Sequence, residues 1–395
     1  MRLLLVTNTQ WSRDLGGARV YIELAEELVR LGHEVEKFSW EDAFPGPARR
    51  PRGGRLSRLA GAVANSRSFA RRARAFVRAH GRRFDVVDAG HTELPFPKRD
   101  LGFTGLLVAR SVALTPAYAR FEWEAAARWP EPWSLRRFAH RAMFYPRRQR
   151  TLRNWERGLR AADLINVSNQ DDRDELAALG LAGKVVCFPF GLSEARARTF
   201  RDARAGAAGR LAARTVAFIG TWNPRKGARD WPSIVRRVRQ QLPQTRFLFL
   251  GTGLERYAVL RDFPAEDHGA LEVRSHFAGA ELPPLLAGAT VGAFPGYLEG
   301  FGFAVLEKLA AGLPVAAYDA PGTREMLRHQ DLPTTVPVGD WEGFSALLAR
   351  LLTLDPELYR RHTEDSAAVA DRFRWRDIAR RTAETYSERL RALRA

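Results

Sequence analysis

The chain has 395 residues, 45% hydrophobic and 10% aromatic, which suits two domains with separate cores and excludes a disordered protein. Its formal net charge of +18 admits a polyanionic partner: anionic lipid headgroups, a phosphorylated acceptor or nucleic acid. The single cysteine, Cys187, excludes an intrachain disulfide and a multi-cysteine metal site, and it fits a reducing cytoplasm. The opening Met-Arg-Leu-Leu-Leu-Val-Thr-Asn is too short an apolar run for a signal peptide. No stretch is long and apolar enough to span a membrane.

Leu3 to Thr7 reads as a buried strand. A loop follows to Gly16-Gly17, then a helix from Ala18 to Leu31 with Val20, Leu24, Leu28 and Leu31 at helical spacing. Gly32-His33-Glu34-Val35 closes that helix and starts a second strand. This is a βαβ opening with a glycine pair at the helix start, a layout that binds phosphate in Rossmann-like domains. It is not Gly-x-Gly-x-x-Gly, so no nicotinamide site is read. Between Pro45 and Phe84 lie twelve arginines and no acid. Ser66 to His80 is predicted helical, with Phe69, Ala73, Phe76 and Val77 on one face and Arg67, Arg71, Arg74 and Arg78 on the other. That ridge is either a solvated outer face or a surface resting on anionic lipid, where each arginine adds about 1 kcal/mol.

Phe84 to Gly90 is the next strand, with His91 in the loop at its C-terminal end, where open α/β sheets bind ligands. Leu106 to Val112, which includes Arg110, is another. Residues 116–160 interleave Phe121, Trp123, Trp129, Trp133, Phe138, Phe144, Tyr145 and Trp155 with Arg136, Arg137, Arg141, Arg147, Arg148, Arg150 and Arg153. Plain helical packing, a membrane interface and nucleic-acid stacking all suit such a segment. No RNA-recognition or helix-turn-helix signature is present, which counts against nucleic acid. Residues 196–214, rich in Ala, Arg and Gly without a strand pattern, read as a linker.

A second Rossmann-like unit starts at Thr215-Val-Ala-Phe-Ile-Gly220. Thr221-Trp-Asn-Pro-Arg225-Lys226-Gly227 follows, then a helix through Trp231, Ile234, Val235 and Val238. Phe247 to Gly253 is a strand and turn, and Val273 to Gly279 contains Phe277. Val291-Gly-Ala-Phe-Pro feeds Glu299-Gly300-Phe301-Gly302-Phe303-x-x-x-Glu307, Gly312-Leu-Pro-Val and Pro321-Gly-Thr-Arg-Glu325. Gly300 and Gly302 allow backbone conformations forbidden to other residues, and they leave amides bare at a helix start, a natural anion site. Glu299 lies before that helix and Glu307 inside it, so both can face one ligand. Closing helices follow over 341–352, 358–373 and 376–393.

Glu-x7-Glu in this glycine context, with Gly312-Leu-Pro-Val, Pro321-Gly-Thr-Arg-Glu325 and Lys226-Gly227, resembles the family 4 retaining glycosyltransferases. The resemblance implies an α/β GT-B fold with two Rossmann-like domains facing a cleft. Its parts would be an acceptor-binding domain over 1–195, the linker over 196–214, a nucleotide-sugar-binding domain over 215–375 and a last helix, 376–395, crossing back to the first domain. It further implies that Glu307 binds the nucleotide ribose, Glu299 contacts the donor sugar, and the loop around Phe277 holds the base. Lys226 and Arg225 would stabilise the departing diphosphate, with amides near Gly300, Phe301, Gly302, Phe303 and Gly16-Gly17.

Two departures from the family pattern stand out. The family's Arg-Ser-His-Gly, whose histidine lies near the transferred sugar, is here Arg110-Ser111-Val112. Either His91 or backbone groups take over on the sugar or acceptor side, where Arg110 is also expected, or the histidine is not essential, or activity has been lost. The family's arginine upstream of Lys-Gly falls on Thr221, and Arg225 is the cation at hand. The two Glu residues share one helix start and are not opposed across a bond, which excludes a glycosidase pair. No Asp-x-Asp motif or His/Cys cluster suggests a metal, and no cofactor is expected. The resulting expectation is a cytoplasmic enzyme, peripheral on the inner membrane face, that moves a sugar from a nucleotide-diphosphate sugar to a lipid-linked or cell-surface glycan. The competing readings are a non-catalytic nucleotide-sugar-binding protein and a GT-B epimerase or phosphorylase.

Overall fold

A computed structural model describes the chain except residues 14–15, 46–54 and 131–134 and the side chains of 55–67, 135–144 and 147. Trp133, Phe138, Phe144 and the arginines at 49, 50, 52, 55, 58, 67, 136, 137, 141 and 147 therefore lie outside the described side chains. The rest forms two compact units, one of Met1–Pro189 with Trp375–Ala395 and the other of Phe190–Arg374.

The first unit is a six-stranded, all-parallel sheet. Its elements are β1 (Arg2–Val6), α1 (Gly16–Arg30), β2 (Glu34–Phe38), α2 (Arg55–His80), β3 (Val86–Gly90), β4 (Leu106–Arg110), α3 (Thr115–Arg128), α4 (Leu135–Ala161), β5 (Leu164–Val167) and β6 (Val185–Cys187). The spatial order is β2-β1-β3-β4-β5-β6. Leu3, Leu4, Leu5 and Val6 are fully buried because helices cover both faces of a parallel sheet, so its strands read as continuous apolar runs. On one face Phe69, Ala73 and Val77 of α2 pack against Leu4, Val6, Phe38 and Val87. The strand order reverses between β1 and β3. Their C-terminal loops, which carry Gly16-Gly17 and His91, diverge there to opposite sides, as at a ligand-binding switch point.

The final helix, Trp375–Arg394, belongs to this unit. Trp375 donates from its indole to Glu23 of α1, and the Tyr386 hydroxyl donates to Asp88 of β3 at 2.6 Å. Arg110 binds the same Asp88 carboxylate from β4, with contacts of 2.6 and 3.1 Å, and donates to Tyr386 at 3.0 Å. A buried charge is tolerated only when paired and hydrogen-bonded, and this cluster meets that condition.

The second unit opens with two helices, α5 (Glu194–Asp202) and α6 (Ala207–Ala213). The expected linker over 196–214 is thus mostly helical and belongs to the second unit. Ser193 caps α5 by accepting from the Arg196 amide, and Arg210 is buried with three backbone carbonyls as acceptors. The sheet comprises β7 (Thr215–Ile219), β8 (Arg246–Leu250), β9 (Leu271–Arg274), β10 (Val291–Phe294), β11 (Val315–Tyr318) and β12 (Thr335–Val336). It is all parallel, in the order β12-β11-β10-β7-β8-β9. Phe218, Trp231, Phe247 and Phe249 form an edge-to-face aromatic core in it, with Phe294 stacked on Phe218. Here the order reverses between β7 and β10, so the loops carrying Lys226 and Glu299 leave adjacent strands at the switch point. No described helix is long and apolar enough to cross a membrane.

Candidate active site

Local backbone chemistry brings the two switch-point loops of the second unit together. After β7, Asn223 caps a short turn over Pro224–Lys226 by accepting from the Lys226 amide. Gly227 then takes a left-handed φ of 85°, and a Cβ there would lie 2.2 Å from the Pro295 carbonyl oxygen. Only glycine allows this approach. The Tyr297 amide donates to the Arg225 carbonyl at 2.9 Å, and Arg225 donates from its guanidinium to the Leu298 carbonyl at 3.1 Å. Beneath both loops, Asp230 accepts from the hydroxyls of Tyr297 and Tyr318, each at 2.7 Å.

The loop after β10 ends at Gly302, whose φ of 93° turns the chain into α7 (Phe303–Ala310). A helix, Pro321–Leu327, supports this loop from behind. The Gly322 amide donates to the Glu299 carbonyl at 2.9 Å, and a Cβ on Gly322 would lie 2.6 Å from that same oxygen. The Pro-Gly-Thr motif is thus a buttress for the Glu299–Gly302 backbone.

These loops assemble the expected charges. Lys226 makes an ion pair with Glu299, and Arg225 stands 3.9 Å from the same carboxylate. Lys226 also lies over the Phe294 ring, 4.9 Å from its centre. Burial lowers the Lys226 pKa, Glu299 raises it and Arg225 lowers it further. One turn into α7, Glu307 is buried and paired with Arg196 of α5 at 2.9 Å. Lys308 beside it is fully buried, donates to the Ala293 carbonyl at 2.7 Å and lies 5.2 Å from the centre of the same Phe294 ring. Burial first and Lys226 second push Lys308 down to about 7. Gly292 makes room for it, since a Cβ there would meet the lysine stem at 2.8 Å. Phe277, after β9, stands beside the turn at Gly251, at the neighbouring strand end, where a Cβ would lie 3.0 Å from its ring.

Other expected residues are placed differently. Phe301 is buried among Phe190, Phe303 and Phe373, with ring centres 5.4 to 5.7 Å away, so its side chain serves the core and only its backbone faces the loop. Arg110, expected on the sugar or acceptor side, is locked onto Asp88 and Tyr386 and is a structural residue. Thr221 accepts from the Asn223 side chain, so no cation occupies the family's arginine position. Gly16 and Gly17 form the exposed first turn of α1, and a Cβ on either would meet nothing within 4 Å. Packing within the unit therefore does not require glycine there.

His91 sits at the rim of the first sheet, where its Nε2 shares a hydrogen bond with Thr115 Oγ1 at 2.9 Å. Burial pushes it down to about 4, so it is neutral at ordinary pH, and its Nδ1 has no partner among the described residues. The Val112 carbonyl accepts from the Ser168 hydroxyl at 3.2 Å. Sequence reasoning missed Glu93 on the same loop, which burial pushes up to about 8. It also missed Arg196, because the stretch around it lacked a strand pattern. The Ser193-Glu-Ala-Arg196 helix start was the available signal.

Comparison with known proteins adds the family. The model described as Glycosyltransferase Family 4 matches residues 15–196, and the model described as Glycosyl transferases group 1 matches residues 213–354. The chain belongs to the family 4 glycosyltransferases. The D-inositol 3-phosphate glycosyltransferase of Thermobispora bispora is 32% identical over 192 residues, covering 45% of this chain and 44% of that protein. The phosphatidyl-myo-inositol mannosyltransferase of Mycolicibacterium smegmatis is 28% identical over 225 residues, 56% of each. The chain thus spans about half the length of these curated relatives. The MMP alpha-(1->4)-mannosyltransferase of Mycolicibacterium hassiacum matches further, at 25% identity over 94% of this chain and 95% of the relative. Among solved structures, sucrose-phosphate synthase from Thermosynechococcus elongatus superposes with a TM-score of 0.73 over 99% of both chains, at 17% identity. Anabaena HepE, in complex with UDP and glucose, gives 0.65 over 98% of this chain and 100% of its own, also at 17%. At such identities the likeness is one of fold, and that fold is GT-B.

Proposed function

We propose that this family 4 member is a retaining glycosyltransferase, moving a sugar from a nucleotide-diphosphate sugar to a glycan or lipid-linked acceptor. The observation that carries the reading is the convergence of Lys226, Arg225, Glu299 and Glu307 at the switch point of the second sheet. Lys226 and Arg225, with the amides at the start of α7, meet the charge that develops on the leaving diphosphate, where preorganised donors act most strongly. Glu299 accepts hydroxyls of the donor sugar and Glu307 those of the ribose, while Phe277 stands at the place for the base.

In the transfer, the bond from the anomeric carbon to the diphosphate oxygen breaks. A bond to the acceptor oxygen forms on the same face, and the acceptor's proton passes to the leaving phosphate. This route calls on no protein nucleophile, metal or cofactor, so Val112 is tolerable. Incubating the protein with UDP-, GDP- and ADP-sugars and an acceptor extract tests the reading. Release of the nucleotide with retained anomeric configuration is expected from wild type and lost in Lys226→Ala.

The acceptor class rests on the phosphatidyl-myo-inositol in a relative's name, the exposed Trp123 and Tyr145, and the exposed arginines of α2. These favour a peripheral protein on the inner, anionic membrane face. Failure to co-sediment with anionic liposomes at low salt would remove that part. A non-catalytic nucleotide-sugar binder is favoured by Val112 and Thr221; it would bind donor and release no sugar.

A further inference from the structure

Arg196 lies in none of the motifs that mark the site, yet it joins two of its parts. It stands in the first turn of α5, with its guanidinium 4.8 Å from the centre of the Phe200 ring. One terminal nitrogen, Nη2, donates to Glu307 Oε1 at 2.9 Å. The other, Nη1, donates to the carbonyl of Gly279, two residues beyond Phe277 on the loop after β9. Its Nε is buried without a partner among the described residues. A planar guanidinium spends its donors in a fixed fork, so the two groups it holds are fixed in relation to each other.

We propose that Arg196 is the positioning residue for the donor's nucleoside, setting the plane of the Glu307 carboxylate against the loop that carries Phe277. The proposal rests on the donor-binding reading above. A ribose offers two neighbouring hydroxyls, and an ionised carboxylate accepts both only when its plane is held. Glu307 is buried, where an unpaired carboxylate is costly and would turn or take up a proton. Arg196 keeps it charged and oriented, and the same side chain ties ribose recognition to base recognition. Lysine could keep the charge, as a compact point donor, but could not span both acceptors.

The test uses titration calorimetry of the full chain with UDP, GDP and ADP and their 2′-deoxy counterparts, on wild type, Arg196→Gln and Arg196→Lys. Wild type should prefer one ribonucleotide over its deoxy form by about tenfold or more, the weight of a hydrogen bond to a charged group. Arg196→Gln should bring that ratio close to one, chiefly by weakening the ribonucleotide. Arg196→Lys should keep most of the ratio but lose selectivity among the three bases. In turnover with the matching donor, KM should rise while kcat changes little, a split that general loss of structure would not give. Melting curves show which variants are folded, and if Arg196→Gln is not, the Lys variant decides.

An Arg196→Gln chain that is folded and keeps the wild-type ratio overturns the proposal. So does a Lys variant that keeps full base selectivity, or a wild type that binds ribo and deoxy forms alike. If wild type binds none of the six nucleotides, the donor reading itself fails and takes this inference with it. That outcome is distinct from wild-type binding unaffected by the Arg196 variants.

Discussion

The two sheets of this chain reverse their strand order in the same way and use the resulting rims differently. At the rim of the second sheet, Lys226, Arg225, Glu299 and the Arg196–Glu307 pair gather charge around two loops that only glycine at 227 and 302 permits. The rim of the first sheet places, among the described residues, His91 and Glu93 where burial disfavours their charged forms. His91 is held neutral, Glu93 is held in its protonated form, and buried Asn8 Oδ1 and Ser111 Oγ have no partner among the described residues. Arg110, at the end of β4, is already spent on Asp88. On the proposed reading, the difference teaches that one rim would meet a developing anion, while the other would suit neutral hydroxyls. Shared topology supplies a location, and the side chains choose the chemistry.

The largest way to break this contrast is at Arg110. Removing one partner of a buried ion pair costs about 3–5 kcal/mol. Arg110→Ala should therefore lower stability by that order in a denaturant titration, while donor binding by the protein that remains folded stays close to wild type. A variant of normal stability that had lost only acceptor turnover would return Arg110 to the site. Next comes Lys226→Ala, which should cut kcat by roughly 100- to 1,000-fold, the range for losing a preorganised donor to a developing anion. Its melting temperature should fall less than that of Arg110→Ala, because burial disfavours the lysine charge and Arg225 remains 3.9 Å from Glu299. An active Lys226→Ala enzyme would make the charged rim a bystander.

The pH dependence of stability should run in opposite directions at the two rims. Glu93 keeps its proton to about 8 when folded, against an ordinary value of 4.5. The folded state thus binds more protons than the unfolded between those values, and stability from this group falls as pH rises through them. Lys308 has lost its proton above about 7 when folded, against an ordinary 10.5, so stability from this group rises over that window. Denaturant midpoints across pH should show Glu93→Gln removing the falling slope and Lys308→Met the rising one, each a change of a few kcal/mol at most, at about 1.4 kcal/mol per pH unit. A slope of the wrong sign in either difference would contradict the assigned environment.

The smallest effect concerns the exposed arginines of α2. Arg71→Gln and Arg78→Gln should each weaken binding to anionic vesicles by about 1 kcal/mol, most at low salt. Indifference to both changes would leave the ridge as a solvated face.

Most of the charged rim was legible in the sequence, because its instructions are local. Asn223 to Gly227 and Glu299 to Gly302 carry their own caps and left-handed glycines, and apolar runs such as Leu3 to Val6 announce buried parallel strands. What escaped depends on partners far along the chain. Arg110 looked like a ligand group because nothing local shows that Asp88 and Tyr386, 22 and 276 residues away, already hold it. Phe301 sat inside a binding motif, yet Phe190 and Phe373 draw it into the core. Arg196 was hidden because an Ala- and Arg-rich stretch resembles a linker, and only tertiary packing sets it 2.9 Å from Glu307. Gly292 gave no sign of the space it leaves for Lys308.

The most direct test of the account is a crystal structure of the full chain grown with whichever of UDP, GDP or ADP raises its melting temperature most. The account predicts the diphosphate within hydrogen-bonding distance of Lys226 Nζ and the start of α7, the ribose hydroxyls on Glu307 and the base against Phe277. A nucleotide bound elsewhere, with Lys226 and Glu307 untouched, would contradict it.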